Sequence, residues 1–352
     1  MNPSWAGDKY VTKWNFVMVS IIAVLSQFPM AVMAEESEGT APVSVAMGPS
    51  FAGWLVAFRK EASVKGISET TLDKAFVGLT PLDKLIDFDR RQPEFSLPFE
   101  VYLKRVAKPD RIRRGAQKMI ELKPVLAKIE AKYGVPGSML VALWGIESDY
   151  GRLAGTYSVV QSLATLAYEG RRATFFRGEL LNALKILDAG HVEPKAMLGS
   201  WAGAMGQTQF MPSTFLNYAV DFSGDGRIDV WNSTEDALAS GANYLAKIGW
   251  KSGESWGREV KIPADLDPTL LGGKVHKTLK EWAALGIKKS DGHALPDRDL
   301  QAGLIVLNGK KQRAFLTYSN FDAIHEWNRS LQFATSVGLI ADMLAKSGRN
   351  SP

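Results

Sequence analysis

The residue best suited to catalysis is Glu147, which ends a strongly apolar stretch that begins at Gly137. On a helix, the residues three, four and seven positions earlier share its face, and these are Trp144, Leu143 and Leu140. A carboxyl group beside such a face loses hydration, which disfavours its charged form, and the negative end of the helix dipole acts in the same direction. Glu147 is therefore predicted to stay protonated near neutral pH, as a general acid for glycosidic cleavage requires.

The same spacing also allows a structural interpretation of Glu147. Gly151 indicates that the helix ends close by, so the glutamate could be a helix-end residue capped by Arg152 or by another cation. Asp149 points to another face of the helix and is not expected to share the proton transfer. Spacing alone leaves the catalytic and the structural interpretation open.

A second stretch, residues 199–212, combines small residues with neutral polar ones. Small side chains let a ligand approach the backbone closely, while Gln207, Thr208 and Gln209 offer hydrogen-bonding groups suited to sugar hydroxyls and acetamido groups. The Walker spacing of a phosphate-binding loop is absent from the sequence. A glycine-rich turn before a helix that begins at Pro212 explains the pattern equally well.

Three motifs of the chain closely resemble the lytic murein transglycosylase B family, a branch of the goose-lysozyme-like enzymes that cleave glycan strands. They are WGIESDYGR at 144–152, RRATFFRGEL at 171–180 and SWAGAMGQTQFMPSTF at 200–215, and the resemblance extends over residues 51–346. The resemblance implies that Glu147 is the catalytic glutamate and that peptidoglycan glycan strands are the substrate. Other cell-wall enzymes are further candidate partners.

The resemblance also assigns residues to the family's glycan-contacting positions. These residues are Ser200, Gln209, Tyr102, Tyr244 and Asn328. Arg171 and Arg172 match an arginine pair near the muramyl-peptide side of the cleft, whereas Trp327 stands where a tyrosine is expected. Core packing with a hydrogen-bonded hydroxyl is an alternative for the two tyrosines.

Residues 221–229 follow the spacing of a calcium-binding EF-hand loop. The candidate ligands are Asp221, Ser223, Asp225, the Arg227 carbonyl and Asp229. Position 12 is Asn232 instead of a bidentate glutamate, and the family resemblance implies a lengthened loop that Asp236 closes. An Asx-rich turn before a helix capped by Asn232 or Ser233 is the alternative. We expect a structural Ca²⁺ here and no cofactor for the chemistry.

The elements that must position these residues are mainly helical. Apolar periodicity predicts a helix from Phe51, another over 69–76, charged amphipathic helices between Pro98 and Tyr133, and a buried helix over 137–147. Further helices are predicted at 158–168, 172–188, 212–220, 234–248 and 331–346. A period of two over 303–307 and 313–317 predicts a hairpin around Asn308-Gly309, with Val260 and Ile262 in a third strand.

These elements predict a mainly helical α+β fold, and the resemblance implies a lysozyme-like catalytic core with a flanking helical region. The predicted catalytic unit, residues 50–352, comprises a core at about 134–255 with the EF-hand-like loop at 221–236, a β-hairpin-containing subdomain at about 256–321 and a C-terminal helix at 331–346 that packs back on the core.

The composition fits a folded protein and excludes several classes of function. The chain has 352 residues, of which 46% are hydrophobic and 22% charged, and its net charge of +5 is spread without a dense basic run, so nucleic acid is not an expected partner. A weakly cationic surface suits an anionic cell wall, although solubility explains it equally well. The absence of cysteine excludes thiol nucleophiles and thiolate metal sites, and the four scattered histidines do not have the spacing of a catalytic zinc site.

Residues 1–34 are typical of a secretory signal peptide. Two lysines precede an apolar run that starts at Phe16, and the tripeptide VMA at 32–34 offers small residues for cleavage. We expect cleavage near Ala34, a flexible leader over 35–49 and a periplasmic protein without lipid, since no cysteine could carry one. An uncleaved membrane anchor is the alternative.

Three functions follow from these residues. A lytic transglycosylase would use Glu147 first as acid and then as base, closing a 1,6-anhydro ring without water. A hydrolytic muramidase normally needs a second carboxylate, and no motif supplies one. A non-catalytic peptidoglycan-binding scaffold would not need a glutamate in an apolar setting, so the sequence favours the transglycosylase.

Overall fold

The computed structural model describes residues 50–90, 97–309 and 312–349. The signal peptide predicted at 1–34 and the leader predicted at 35–49 lie outside the described residues. Of the helices that the structure describes, none is both long enough and apolar enough to cross a membrane.

Fourteen α-helices make up most of the described chain. They are α1 Phe51–Val64, α2 Glu69–Phe76, α3 Asp83–Arg90, α4 Phe99–Val106, α5 Pro109–Glu121, α6 Lys123–Tyr133, α7 Gly137–Ser148, α8 Val159–Glu169, α9 Ala173–Asp188, α10 Pro212–Tyr218, α11 Thr234–Lys247, α12 Leu279–Ala284, α13 Ser319–Trp327 and α14 Leu331–Arg349. The helices predicted from the sequence are confirmed, with ends shifted by a few residues. The helices α3, α12 and α13 were not predicted.

The described strands form two antiparallel sheets. The strands are β1 Tyr157–Ser158, β2 Leu198–Gly199, β3 Gly257–Lys261, β4 His276–Thr278, β5 Lys288–Lys289, β6 Gln301–Leu307 and β7 Arg313–Thr317. The strands β1 and β2 pair with each other, and the larger sheet has the order β4-β6-β7-β3-β5. The predicted mainly helical α+β fold is thus confirmed, and the domain boundaries stay predictions.

The predicted hairpin of β6 and β7 is confirmed, with β6 ending at Leu307 and β7 beginning at Arg313, but the Asn308-Gly309 signal does not itself describe the connection. Leu307 pairs with Arg313, so the connection is longer than these two residues. Asn308 and Gly309 contact α4 instead: the Asn308 carbonyl accepts a hydrogen bond from the Phe99 N–H at 2.8 Å, and a Cβ at position 309 would collide with the Glu100 carboxylate. Gly309 is needed for this close approach and not for a tight turn.

The third strand of the sheet is confirmed in part. Val260 lies in a strand, as predicted, and this strand, β3, pairs Val260 with Ala314 of β7. Ile262 lies one residue beyond the end of this strand. The strand β3 therefore runs earlier in the chain than its two apolar residues indicate.

The helix α7 lies at the centre of the larger hydrophobic core. Ten of its twelve residues are buried, and α5, α6, α11 and α14 pack around it. The approach is close at Gly137, where a Cβ would stand 3.0 Å from Leu126, and at Gly145, where it would overlap the Tyr150 ring. An apolar helix can be stable only when such neighbours cover every face.

The chain reverses sharply where α7 ends. Asp149, Tyr150 and Gly151 adopt positive φ values of 52°, 63° and 78°, and the Asp149 N–H donates to the Gly145 carbonyl at 3.2 Å. The helix end predicted near Gly151 is therefore confirmed. The Ser148 hydroxyl donates to the Gln207 carbonyl at 2.6 Å, so the end of α7 is fastened to the glycine-rich stretch.

Candidate active site

Glu147 lies in the last turn of α7 and lines a small pocket. The lining residues are Leu140, Leu143, Trp144, Glu147, Thr208, Ala237, Leu238, Gly241 and Trp327. The apolar face predicted from helical spacing is therefore present beside the carboxyl group. Burial raises the pKa of Glu147 to about 7, although a hydrogen bond from Trp327 opposes the shift.

The Trp327 side chain from the end of α13 is the hydrogen-bond partner of Glu147. Its Nε1–H donates to Oε1 of Glu147 at 2.8 Å. The indole packs against Phe210 and Tyr244, with ring centroids 5.3 and 5.1 Å apart, which fixes the direction of its N–H. An indole donor is neutral, so it orients the carboxyl without the strong charge stabilisation that a cation would bring.

Asp149 forms ion pairs with three arginines around the end of α7. It pairs with Arg114 at 2.6 Å, with Arg111 at 3.2 Å and with Arg152 at 3.2 Å. Among the described residues Glu147 forms no ion pair, so the alternative in which Arg152 caps it does not match the structure. Burial would raise the pKa of Asp149, but the hydrogen bonds from Arg114 and Arg111 lower it below its usual value.

The glycine-rich stretch forms a tight loop whose polar groups mostly hold the loop itself. The Ser200 hydroxyl accepts a hydrogen bond from the Ala204 N–H at 3.0 Å. The Gln209 amide donates to the carbonyls of Ala154 and Gly206 at 2.9 and 2.8 Å, and Gln209 has a positive φ of 53°. Both residues remain partly exposed.

Two predicted glycan contacts, Tyr102 and Tyr244, are buried. Burial and then the charge of Glu147 raise the pKa of Tyr102, so these two side chains are close enough to interact. The Tyr244 hydroxyl donates to the Glu326 carbonyl at 3.2 Å, and its ring supports Trp327. Core packing with a hydrogen-bonded hydroxyl therefore describes Tyr244, whereas Tyr102 belongs to the surroundings of Glu147.

The remaining predicted contacts lie at two places. Asn328 follows Trp327 and is buried, with its Nδ2 unpartnered among the described residues. Arg172 donates to Asp89 of α3 at 2.8 Å, and Arg171 lies 4.0 Å from the same carboxylate while staying largely exposed. Neither arginine lines the pocket of Glu147.

Three residues in or near this site could not be singled out from the sequence. Trp327 was noted only as a departure from the family pattern, and its bond to Glu147 spans 180 positions of the chain. Asp89 gave no signal, because a single aspartate near a helix end is usually a surface residue. Thr208 stood in a polar triplet whose three members looked equivalent.

The candidate calcium loop places its predicted ligands in two different settings. The Asp221 carboxylate accepts hydrogen bonds from Ser223 and Gly224 and is partly exposed, as a metal ligand at the surface would be. Asp236 is buried and accepts the N–H groups of Phe222, Ser223 and Asp229 at 3.0, 2.9 and 3.0 Å. The Asp236 carboxylate therefore closes the loop by binding the backbone N–H groups of loop residues.

The rest of this loop resembles the Asx-rich turn weighed as the alternative. Asp225 accepts the Arg227 N–H, Asp229 caps Asn232, and the Ser233 hydroxyl caps α11. Within the described residues, no three acidic or histidine side chains are grouped closely enough to hold a metal ion. Asp221, Ser223 and Asp225 offer the oxygen chemistry that Ca²⁺ prefers, whereas the Asp236 carboxylate already accepts three backbone N–H groups.

A half-buried carboxyl with a pKa near 7, beside a loop of small and neutral polar residues, is suited to protonating a glycosidic oxygen. Residues 50–342 match the family model described as a transglycosylase SLT domain, and the chain belongs to this family. It is 34% identical over 252 residues to membrane-bound lytic murein transglycosylase B of Escherichia coli K12. The match covers 69% of this chain and 66% of that protein.

Solved structures of relatives have the same fold. SltB3 of Pseudomonas aeruginosa, in complex with NAG-anhNAM-pentapeptide, is 46% identical with a TM-score of 0.83, covering 86% of this chain and 81% of its own. Escherichia coli Slt35 in complex with calcium is 30% identical with a TM-score of 0.74, covering 86% and 97%. The family and the lysozyme-like fold that the motifs indicated are confirmed.

Replacing Glu147 by Gln should change how stability depends on pH. The folded pKa of about 7 lies above the ordinary value of 4.5. The contribution of Glu147 to the stability of wild type is therefore fully present below pH 4.5 and is lost as the pH rises through 7. The neutral amide loses nothing over this range. Relative to wild type, Glu147→Gln should therefore gain up to ~3 kcal/mol between pH 4 and pH 8.

Chemical denaturation at several pH values measures this difference. The matched control is Glu169→Gln, at an exposed position at the end of α8, and its stability should stay parallel to that of wild type. A difference between Glu147→Gln and wild type that does not change from pH 4 to pH 8 would contradict the raised pKa.

Proposed function

We propose that this chain is a lytic transglycosylase that cleaves the β-1,4 bond between MurNAc and GlcNAc of peptidoglycan without water. The observation that carries the proposal is the half-buried carboxyl of Glu147 in its apolar surroundings, because its pKa near 7 supplies both an acid and a base at neutral pH. The SltB3 complex with an anhydromuramyl fragment supports the product class.

Glu147 would act in two steps. Its carboxyl group gives its proton to the glycosidic oxygen as the C1–O bond breaks. The resulting carboxylate then takes the proton of the muramyl 6-hydroxyl, whose oxygen attacks C1 and closes the 1,6-anhydro ring. The proton returns to Glu147, so the enzyme ends the cycle in its starting state and no co-reactant is consumed.

The absence of a second carboxylate from the pocket supports this reaction over hydrolysis. Among the residues that the structure describes, Glu147 is the only acidic one that lines the pocket, and Asp149 forms ion pairs with three arginines. Both hydrolytic mechanisms that use paired carboxylates need the second group beside the sugar. A muramidase is therefore the second candidate, and a binding scaffold without activity is the third.

The predicted contacts would hold the glycan around Glu147. We assign Ser200, Gln209, Tyr102 and Asn328 to sugar binding, with Tyr244 acting through Trp327, which it supports. Asn328 has a buried amide N–H that a sugar oxygen could satisfy. Arg171 and Arg172 would face the peptide side, where the exposed Arg171 can meet a carboxylate.

Digestion of purified sacculi in ¹⁸O-water tests the proposed reaction. Wild-type protein should release anhydromuramyl products without label. Glu147→Gln keeps the shape of the side chain but cannot transfer a proton, so cleavage should fall by about 10⁴-fold or more, since one residue serves both steps. Mass spectrometry of the products measures both effects.

Sacculus binding by Glu147→Gln provides the control, because the sugar contacts are intact and binding should persist. Label at new muramic ends would make the protein a muramidase. Undiminished cleavage by the Gln variant would remove Glu147 from the mechanism.

We further propose that the loop at 221–229 binds a structural Ca²⁺ through Asp221, Ser223, Asp225 and the Arg227 carbonyl. The calcium complex of Slt35 supports the proposal. Asn232 is neutral and Asp236 is bound by three backbone N–H groups, so few charges are left for the ion. Affinity should therefore lie in the weak, extracellular range of about 10⁻⁴–10⁻³ M.

Calcium at about 10 mM should raise the melting temperature of wild type, because this concentration exceeds the expected Kd and corresponds to ~1–3 kcal/mol. Asp225→Ala should abolish the gain. The control is Asp265→Ala, which removes an exposed carboxylate between β3 and β4, outside the loop. An equal shift in Asp225→Ala and wild type would exclude this loop as the site.

Residues 1–34 are proposed to direct export to the periplasm, on the evidence of the lysines, the apolar run and the cleavage tripeptide. Peptidoglycan lies outside the inner membrane, so the proposed substrate requires export. N-terminal sequencing of protein from the periplasmic fraction should give a start near Glu35. Recovery of the full-length chain in membranes would favour the uncleaved anchor.

A further inference from the structure

The pocket beside Glu147 has room for one small polar molecule. It offers about 10 Å³ to the centre of a water molecule, which is close to the least that a single water requires. The wall from α11 is apolar, formed by Ala237, Leu238 and Gly241. Of the described residues that line it, those with polar side-chain atoms are Glu147, Thr208 and the two tryptophans.

Thr208 is the member of its polar triplet that has no hydrogen-bond partner. Its Oγ1 is buried and unpartnered among the described residues, whereas Gln207 donates to the Trp231 carbonyl at 3.2 Å and Gln209 donates to two carbonyls. The indole N–H of Trp144, which also lines the pocket, is buried and unpartnered as well. Buried polar groups without partners are costly, and ordered water commonly satisfies them.

We propose that Thr208 is a positioning residue for Glu147: its hydroxyl binds one water molecule in this pocket, and that water hydrogen-bonds the Glu147 carboxyl. A carboxyl group has about four acceptor positions, and Trp327 uses one of them. A bound water needs two to four polar partners, which Glu147 and Thr208 supply, with Trp144 on the same pocket. The catalytic part of this inference rests on the proposed function.

A hydroxyl suits a residue that is first an acid and then a base. When Glu147 is protonated, its O–H can donate to the water, which donates to Thr208 Oγ1. When Glu147 is ionised, the Thr208 O–H donates to the water, which donates to the carboxylate. The Thr208 hydroxyl rotates to serve both states, whereas the Trp327 N–H can only donate.

Few other titratable groups face this carboxyl. From α4, Tyr102 interacts with Glu147, and Asp149, which follows the end of α7, is held by the arginines of α5. The parts of α11 and α13 that line the pocket contribute apolar residues and Trp327. A change of titration on altering Thr208 can therefore be assigned to the lost hydrogen bond.

Two variants remove the water in different ways. Thr208→Val deletes the hydroxyl and keeps the shape. Gly241→Ala leaves the hydroxyl but places a methyl group in the pocket, 3.4 Å from Trp327 and 3.8 Å from Thr208, which are ordinary contact distances. Thr208→Ser keeps the hydroxyl and is the matched control.

Carbon NMR of ¹³C-labelled glutamate carboxyls measures the pKa of Glu147 independently of enzyme activity. The Glu147 signal is assigned as the one that disappears in Glu147→Gln. Both water-removing variants should raise the pKa of Glu147 by about one unit, because the ionised form loses a donor. Thr208→Ser should titrate as wild type. In kcat/KM against pH, the alkaline limb should move up by the same amount, with a lower kcat and little change in KM.

Each outcome decides the proposal. Wild-type titration in both Thr208→Val and Gly241→Ala overturns it, as does a Thr208→Ser variant that shifts like Val. A shift of the Glu147 pKa in Thr208→Val but not in Gly241→Ala would indicate a direct hydrogen bond between Thr208 and Glu147. That result would overturn the proposal of a bridging water. If one of these titration results overturned the inference while wild-type protein still released anhydromuramyl products, the proposed function would stand.

Discussion

The burial of α7 is the constraint on which the rest of the structure depends. A helix that is apolar on every face cannot meet water, so α5, α6, α11 and α14 must surround it. Because Glu147 sits in the last turn of this helix, its carboxyl inherits the apolar surroundings. The raised pKa of Glu147 is therefore a consequence of the packing that stabilises the fold, and the acid needs no separate device.

The end of α7 keeps the nearby arginines paired with Asp149, whereas an arginine beside Glu147 would lower the pKa of its carboxyl. Three arginines lie near the helix end, and a cation beside Glu147 would stabilise its ionised form. Asp149 binds all three, while Glu147 receives only a neutral N–H from Trp327. The left-handed turn at Asp149 directs the two acids of this short segment into different environments. The pKa of Asp149 is lowered below its usual value, and the pKa of Glu147 is raised to about 7.

Much of this could be predicted from the sequence, because it depends on local spacing. Helical periodicity placed Leu140, Leu143 and Trp144 beside Glu147, and the structure confirms the contact. The bond from Trp327 could not be predicted in this way, since it depends on how α13 packs against α7. The contact of Asn308-Gly309 with α4 could not be predicted for the same reason, because no local pattern reveals it.

The helix α11 connects the candidate calcium loop to the active site. Asp236, in its first turn, gathers three backbone N–H groups of the loop, and the next residues, Ala237 and Leu238, form the wall of the Glu147 pocket. The start of α11 is thus held by the loop on one side and contacts the pocket of the Glu147 carboxyl on the other. Since the pocket has room for a single water, a small displacement of this helix would change what the pocket can hold. The conformation of the loop at 221–229 therefore affects the shape of the pocket around the Glu147 carboxyl as well as the stability of the fold.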